Sequence, residues 1–226
     1  MIAVLTAMRS ELRPFVRAAG LARTGDVWSG TLGRYEVAAS TMGVGMVGAA
    51  EAAERVVKGA DVERVLVVGI AGGIDARLPI GHVVVPEVVV DGATGAEHRP
   101  APWAQVEPHG RLVTYHDFQT DPELMARLQR EGYAAIDMET AAVAAVCEQH
   151  GCPYTVFRAI SDDAVKGTVD PAVAALARPD GSPDLGAALR YALRHPWRVP
   201  GLVALGRDSD HAARAAAAAA VAALRS

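Results

Sequence analysis

Short apolar runs that stop at polar or glycine-rich segments alternate along the chain with stretches whose apolar residues recur at helical spacing. Ile2–Leu5 reads as a buried strand. Leu12, Phe15, Val16 and Ala19 then repeat at i, i+3, i+4 and i+7, which predicts an amphipathic helix with Ser10 as its N-cap. Val27–Leu32 and Tyr35–Ser40, separated by Gly33-Arg34, predict a hairpin. Thr41–Gly48 opens a helix to about Val57, with Gly59 as its stop. Arg64–Ile70 is a buried strand ending in Gly69-Ile70-Ala71-Gly72-Gly73. His82–Val90 is nearly all valine apart from Pro86-Glu87, where a bulge or a break between two strands is expected.

The second half follows the same grammar. Asp91–Gly110 is a polar loop containing Trp103, long enough to suggest a site or an interface. Leu112–Tyr115 predicts a strand, and Asp121-Pro122 starts a helix with Leu124, Met125 and Leu128 on one face. Ala134–Asp137, a helix to about Gln149 and Tyr154–Ile160 predict a β-α-β unit. Lys166–Pro183 is loop-like. The tail adds Asp184–Arg194 and an Ala-rich helix from about Asp208 to Leu224, with His211 on its surface.

Composition narrows the class. Hydrophobic residues make up 51% of 226 positions but aromatics only 5%, which suits a Val-rich parallel sheet under Ala-rich helices. The pattern predicts one α/β domain over residues 1–226, with 166–226 as a longer helical extension of it. A net charge of −4 without a basic run argues against nucleic acid. Cys147 and Cys152 form no disulfide framework, so a reduced cytoplasm is expected. Ile2–Ala7 lacks the features of a signal peptide, and no apolar stretch approaches the roughly 20 residues of a membrane span. The histidines show no metal-ligand spacing, and neither a metal nor a cofactor is expected.

The candidate chemistry lies where the apolar runs end. Two of them stop at carboxylates, Ile136-Asp-Met-Glu-Thr140 and Arg158-Ala-Ile-Ser-Asp-Asp163, and a parallel sheet would bring these ends to one rim. Glu11 follows the first strand, where an acid also suits the helix dipole. Gly43, Gly45 and Gly48 match Gly-x-Gly-x-x-Gly by letter. An NAD(P) site, however, needs an acid closing the next strand, and Val65–Val68 runs instead into glycines. Acids beside glycine-rich turns suit cleavage of an N-glycosidic bond: one protonates the leaving base, one grips ribose hydroxyls, one activates water.

At these residues the chain resembles the nucleoside phosphorylase/nucleosidase superfamily, and within it the 5′-methylthioadenosine/S-adenosylhomocysteine nucleosidases. The resemblance rests on Ala7–Glu11, Gly43-Val-Gly45, Gly69–Gly73 followed by Gly81, Asp117-Phe118, Asp137–Thr140 and Arg158–Asp162, in that order. It implies a single-domain three-layer αβα nucleoside phosphorylase-like fold with a central, largely parallel twisted sheet. It also implies that Glu11 activates the water and Asp162, held by Ser161, protonates the purine. Glu139 would grip the ribose beside Met138 and Met8, and Phe118 would stack on the base. The main chain of Gln119 would read the base edge, with Ala71 and Gly72 in the pocket wall. Arg158 is expected to partner the acids, and Asp137 and Asp163 to support them.

The expected substrate is a small purine nucleoside, a 5′-substituted adenosine, and the expected assembly a homodimer. Phosphorolysis is the alternative. The arginine of related phosphorylases is replaced by Val67-Val68 and their serine by Ile70, leaving Arg9 and Arg13 as the residues that would reverse the choice. The tail from Arg178 to Gly186 and from Leu205 to Asp208 resembles hopanoid-associated members, which act on an adenosyl lipid; only that substrate would involve a membrane. A futalosine-type substrate and a non-catalytic nucleoside- or dinucleotide-binding protein are further alternatives.

Overall fold

The computed structural model describes residues 1–59, 61–165, 190–191 and 194–226. The expected loop at Lys166–Pro183 and most of Asp184–Arg194 lie outside them. One mixed sheet carries all eleven strands among the described residues, and its central ladders are parallel. Strand β1 (Ile2–Thr6) lies between β4 (Tyr35–Thr41) and β5 (Arg64–Gly73), parallel to both, and β11 (Tyr154–Asp163) runs parallel along the length of β5. The hairpin of β3 (Val27–Leu32) and β4 forms as predicted, with a third strand, β2 (Ala22–Thr24), added at the edge. Pro86 separates β6 (Val83–Val84) from β7 (Val88–Asp91), since a residue without an N–H cannot continue the ladder.

Helices cover both faces. On one, α1 (Arg9–Ala19) and the C-terminal α5 (Val199–Arg225) bury Leu12, Phe15, Val16, Ala212, Ala216, Ala217, Ala220 and Leu224 with alternate residues of β1 and β5. Alanines at this spacing form a narrow smooth stripe, which lets the helix lie close to the sheet. On the other, α2 (Met46–Gly59) and α4 (Thr140–Gln149) pack through Ala49, Ala52, Ala53, Val143 and Ala144. A third cluster joins α3 (Pro122–Arg130) to β7, β9 (Arg111–Thr114) and β10 (Tyr133–Asp137). Among the described residues no helix is long and apolar enough to cross a membrane.

Four expectations are corrected. First, α5 begins at Val199 rather than near Asp208, because Pro200 sits in the first turn, where its missing N–H has no helical partner to lose. Asp208 and Asp210 therefore fall inside the helix, and Asp210 pairs with Arg214 one turn on. Second, Ser10 is not the cap of α1: the cap is Met8, whose N–H donates to Glu11 Oε2 at 2.8 Å. Third, β10 and β11 are not adjacent strands of a β-α-β unit. β5 stands between them, and β10 meets its end antiparallel, Ala135 opposite Gly73 and Ile136 opposite Gly72. The acids therefore do not share a parallel rim; β10 arrives from the opposite direction and stops at the same level of β5.

Fourth, the 91–110 segment is not all loop, and most of it leaves that level. It adds β8 (Glu97–His98) beside β7, and Ala101 N–H donates to the carbonyl of Tyr154, at the far end of β11. Trp103 is buried there, with its Nε1 donating to Ala223 of α5 at 2.9 Å. Only Asp91–Gly95 turns beside the end of β9, where Gly92 N–H bonds Thr114 O.

Candidate active site

The site is built on one segment of β5, Gly69–Gly73, which three other elements approach. From α1, Glu11 is 2% exposed, and its Oε1 accepts from Ile70 N–H at 2.8 Å while Oε2 holds Met8. A Cβ at position 69 would overlap Glu11 Oε1 and lie 2.6 Å from Arg158 Nη1, so glycine there makes room for the ion pair. From β11, Arg158 is fully buried, and Nη1 donates to Ile70 O at 3.2 Å and lies 3.8 Å from Glu11. Its Nη2 forks between Asp137 at 2.7 Å and Glu139 at 3.0 Å. From the junction of β10 and α4, Glu139 Oε1 accepts from Gly45 N–H at 3.0 Å.

That last contact explains the glycine motif that looks like a dinucleotide fingerprint. Gly43 and Gly45 have φ of 85° and 94°, left-handed values that favour glycine. The turn they make aims a backbone amide at Glu139 rather than at a pyrophosphate.

The fourth acid is held differently. Past a register shift after Ile160, Asp162 pairs with Gly72, and its Oδ2 lies 3.6 Å from where a Gly72 Cβ would stand. The Ser161 hydroxyl is within bonding distance of both Asp162 Oδ1, at 2.6 Å, and Ala71 O, at 3.2 Å. Burial pushes the Asp162 carboxyl up from its ordinary range, Ser161 offsets part of that, and the Asp163 charge adds to it. Burial also raises Glu139, to about 7, against the pull of Arg158; the Asp137 charge pushes the same way as burial. Glu11 is likewise raised by burial, opposed by Arg158 and by backbone donors including Ile70 and Met8.

The structure thus brings Glu11, Ala71, Gly72, Glu139, Ser161 and Asp162 together around five residues of β5, with Met8 and Met138 half-buried beside Glu11 and Glu139. Phe118 and Gln119 are not tied into this network. They lie in the loop from β9 to α3, Phe118 41% exposed, and Gln119 Nε2 donates to Asp117 O. The loop starts at the right level, since Tyr115 N–H bonds Asp137 O. Sequence reasoning missed Thr114, a buried threonine ending β9, whose hydroxyl donates to Asp137 Oδ1 at 2.6 Å. A polar residue closing an apolar strand was its visible signal. Among the described residues no group of three His, Cys, Asp or Glu side chains is arranged to hold a metal.

This frame has known counterparts. A family model described as the phosphorylase superfamily matches residues 1–131 and 96–179, and the chain belongs to that superfamily. A 5′-methylthioadenosine/S-adenosylhomocysteine nucleosidase of Bacillus thuringiensis (strain Al Hakam) is 30% identical over 200 residues, covering 73% of this chain and 87% of the relative. Among solved structures, the Neisseria meningitidis nucleosidase of that name in complex with methylthio-immucillin-A aligns with a TM-score of 0.74 over 99% of this chain and 98% of its own, at 18% identity. A Helicobacter pylori nucleosidase mutant with 5′-methylthioadenosine in the active site gives 0.72 over 98% and 96%, also at 18% identity. A futalosine hydrolase of the same species gives 0.70 over 96% and 94%, again at 18%, so the fold is shared across substrates.

Proposed function

We propose that this chain is a purine nucleosidase that hydrolyses the N-glycosidic bond of a 5′-substituted adenosine, releasing adenine and the ribosyl product. The observation that carries the reading is the gathering of Glu11, Glu139 and Asp162 on Gly69–Gly73 with unequal partners. Asp162 has a raised pKa and a serine partner, and no salt bridge among the described residues reaches it, which suits a proton donor to the leaving purine. Glu139, ion-paired with Arg158 and bonded by Gly45, suits an acceptor for ribose hydroxyls. Glu11, buried and raised, suits a base that takes a proton from the attacking water. Met8 and Met138 would flank the sugar, Ala71 and Gly72 would wall the pocket, and Phe118 would close on the base from its loop. A homodimeric, cytoplasmic, single-domain enzyme is the form this reading implies.

Water rather than phosphate is favoured by charge. Arg158, the cation within the cluster, already faces three carboxylates, and a phosphate dianion would have to compete with them. Val67 and Val68 are buried core residues, while Arg9 and Arg13 are both exposed on α1. The adenosyl-lipid alternative leans on residues 178–186, outside the described residues, and on Leu205–Asp208, which lie within α5. The decisive assay measures adenine release from 5′-methylthioadenosine, S-adenosylhomocysteine, adenosine and futalosine, with and without phosphate. Phosphate-independent release from a 5′-thio-substituted nucleoside is expected; a strict need for phosphate with a pentose-1-phosphate product would overturn it.

A further inference from the structure

Asp137 is 6% exposed, and its carboxylate is held by protein groups on both oxygens. Oδ1 accepts from the Thr114 hydroxyl; Oδ2 accepts from the Thr140 hydroxyl and pairs with Arg158 Nη2; Thr140 N–H lies 3.3–3.4 Å from both oxygens. The two threonines are themselves fixed. Thr114 Oγ1 accepts from Ala141 N–H at 3.0 Å, and Thr140 Oγ1 accepts from Arg158 Nε at 3.3 Å. Both threonines are 0% exposed. The result is a closed network joining the ends of β9 and β10 and the first turn of α4 to one guanidinium.

That network grips Arg158 at both Nε and Nη2. Nη2 is shared, and Asp137, at 2.7 Å, is closer than Glu139, at 3.0 Å. We propose that Asp137, clamped by Thr114 and Thr140, is a positioning residue that holds Arg158 at the fork between Glu11 and Glu139 and so governs how the ribose is gripped. The inference rests on the nucleosidase reading of Glu139.

The electrostatics give the proposal a signature that mere packing lacks. The charged groups facing Glu139 are Arg158 from β11, Asp137 from β10 and Glu11 from α1, with the Gly45 amide as a further donor. Asp137 acts on Glu139 twice in the same direction: as a like charge, and by drawing on the guanidinium hydrogen that Glu139 also uses. Both hold the Glu139 proton on to higher pH, near 7, so ribose binding should weaken as pH falls through that value.

The test compares wild type, Asp137→Asn and Thr114→Val for adenine release across pH 5 to 9, with thermal unfolding as the check on folding. In Asp137→Asn, KM should rise roughly tenfold, the loss of one charge-assisted contact. The acid limb of kcat/KM should also move to lower pH by roughly half a unit or more. Thr114→Val keeps the Asp137 charge, so it should raise KM less and leave the acid limb in place. A folded Asp137→Asn enzyme with unchanged KM and an unmoved acid limb would overturn the proposal. If Asp137→Asn does not fold, Thr114→Val decides, and wild-type KM in that variant overturns it. Absence of adenine release by the wild type would instead remove the nucleosidase reading, and this proposal with it.

Discussion

Two sets of carboxylates meet on β5, and the difference between them is one guanidinium. Glu11, Asp137 and Glu139 surround Arg158, whereas Asp162, four residues beyond Arg158 on the same strand, is given a serine hydroxyl. Burial raises the pKa of Glu11, Glu139 and Asp162 alike. A cation lowers the cost of the ionised form; a hydroxyl does so far less. Arg158 opposes burial at Glu11 and Glu139 and Ser161 opposes it at Asp162, so the two environments differ in the partner each offers rather than in the direction of the shift. In the proposed roles, the same residue type would accept hydrogen bonds in one place and donate a proton in the other because of what stands next to it.

The largest effect should come from removing the proposed proton donor. Asp162→Asn is expected to lose on the order of 10³ in turnover while still binding nucleoside, since general acid catalysis contributes about 10²–10⁴. Single-turnover adenine release beside a binding isotherm checks this, and near-normal turnover would show that the acid is misassigned. Breaking the other environment should cost stability as well as activity. Arg158→Met strands the buried carboxylates and should destabilise the fold by about 3–5 kcal/mol, read by denaturant unfolding. A loss below 1 kcal/mol would mean the guanidinium is not the organiser of the cluster.

A subtler effect is the pH dependence of stability. The Glu139 carboxyl is raised from 4.5 to about 7 in the fold, so its neutral form is the one the fold prefers. Its contribution is full below 4.5 and is lost as pH rises through about 7. Glu139→Gln, neutral throughout, should therefore gain in melting temperature relative to wild type as pH rises from 5 to 8. A constant difference across that range would show that the Glu139 proton is not retained. The smallest expected effect lies outside both environments. Phe118→Ala should raise KM by a stacking contact, about 1–3 kcal/mol by analogy with base–aromatic stacking, with kcat little changed.

The elements were legible because their causes are local. Valine runs marked β5 and β7, the i, i+3, i+4 pattern marked α1, and the alanine stripe marked α5 except for its first turns, where Pro200 stands at a position a helix tolerates. The acids were legible as types at strand ends. What they share was not. Arg158 stands 19 residues from Glu139, Gly45 stands 94 residues away, and Glu11 meets Ile70 across 59. No spacing rule reaches that far.

By itself the sequence determined that this chain folds as an α/β sheet under Ala-rich helices, and that carboxylates and glycines end its strands. Periodicity and side-chain size act over a few residues, so they can be read along a line. Only the tertiary structure decided that β10 meets β5 from the opposite direction, that Gly45 points its amide at Glu139, and that one arginine is divided among three acids. Those outcomes depend on burial and on charges brought within 4 Å, where a low local dielectric makes each neighbour count.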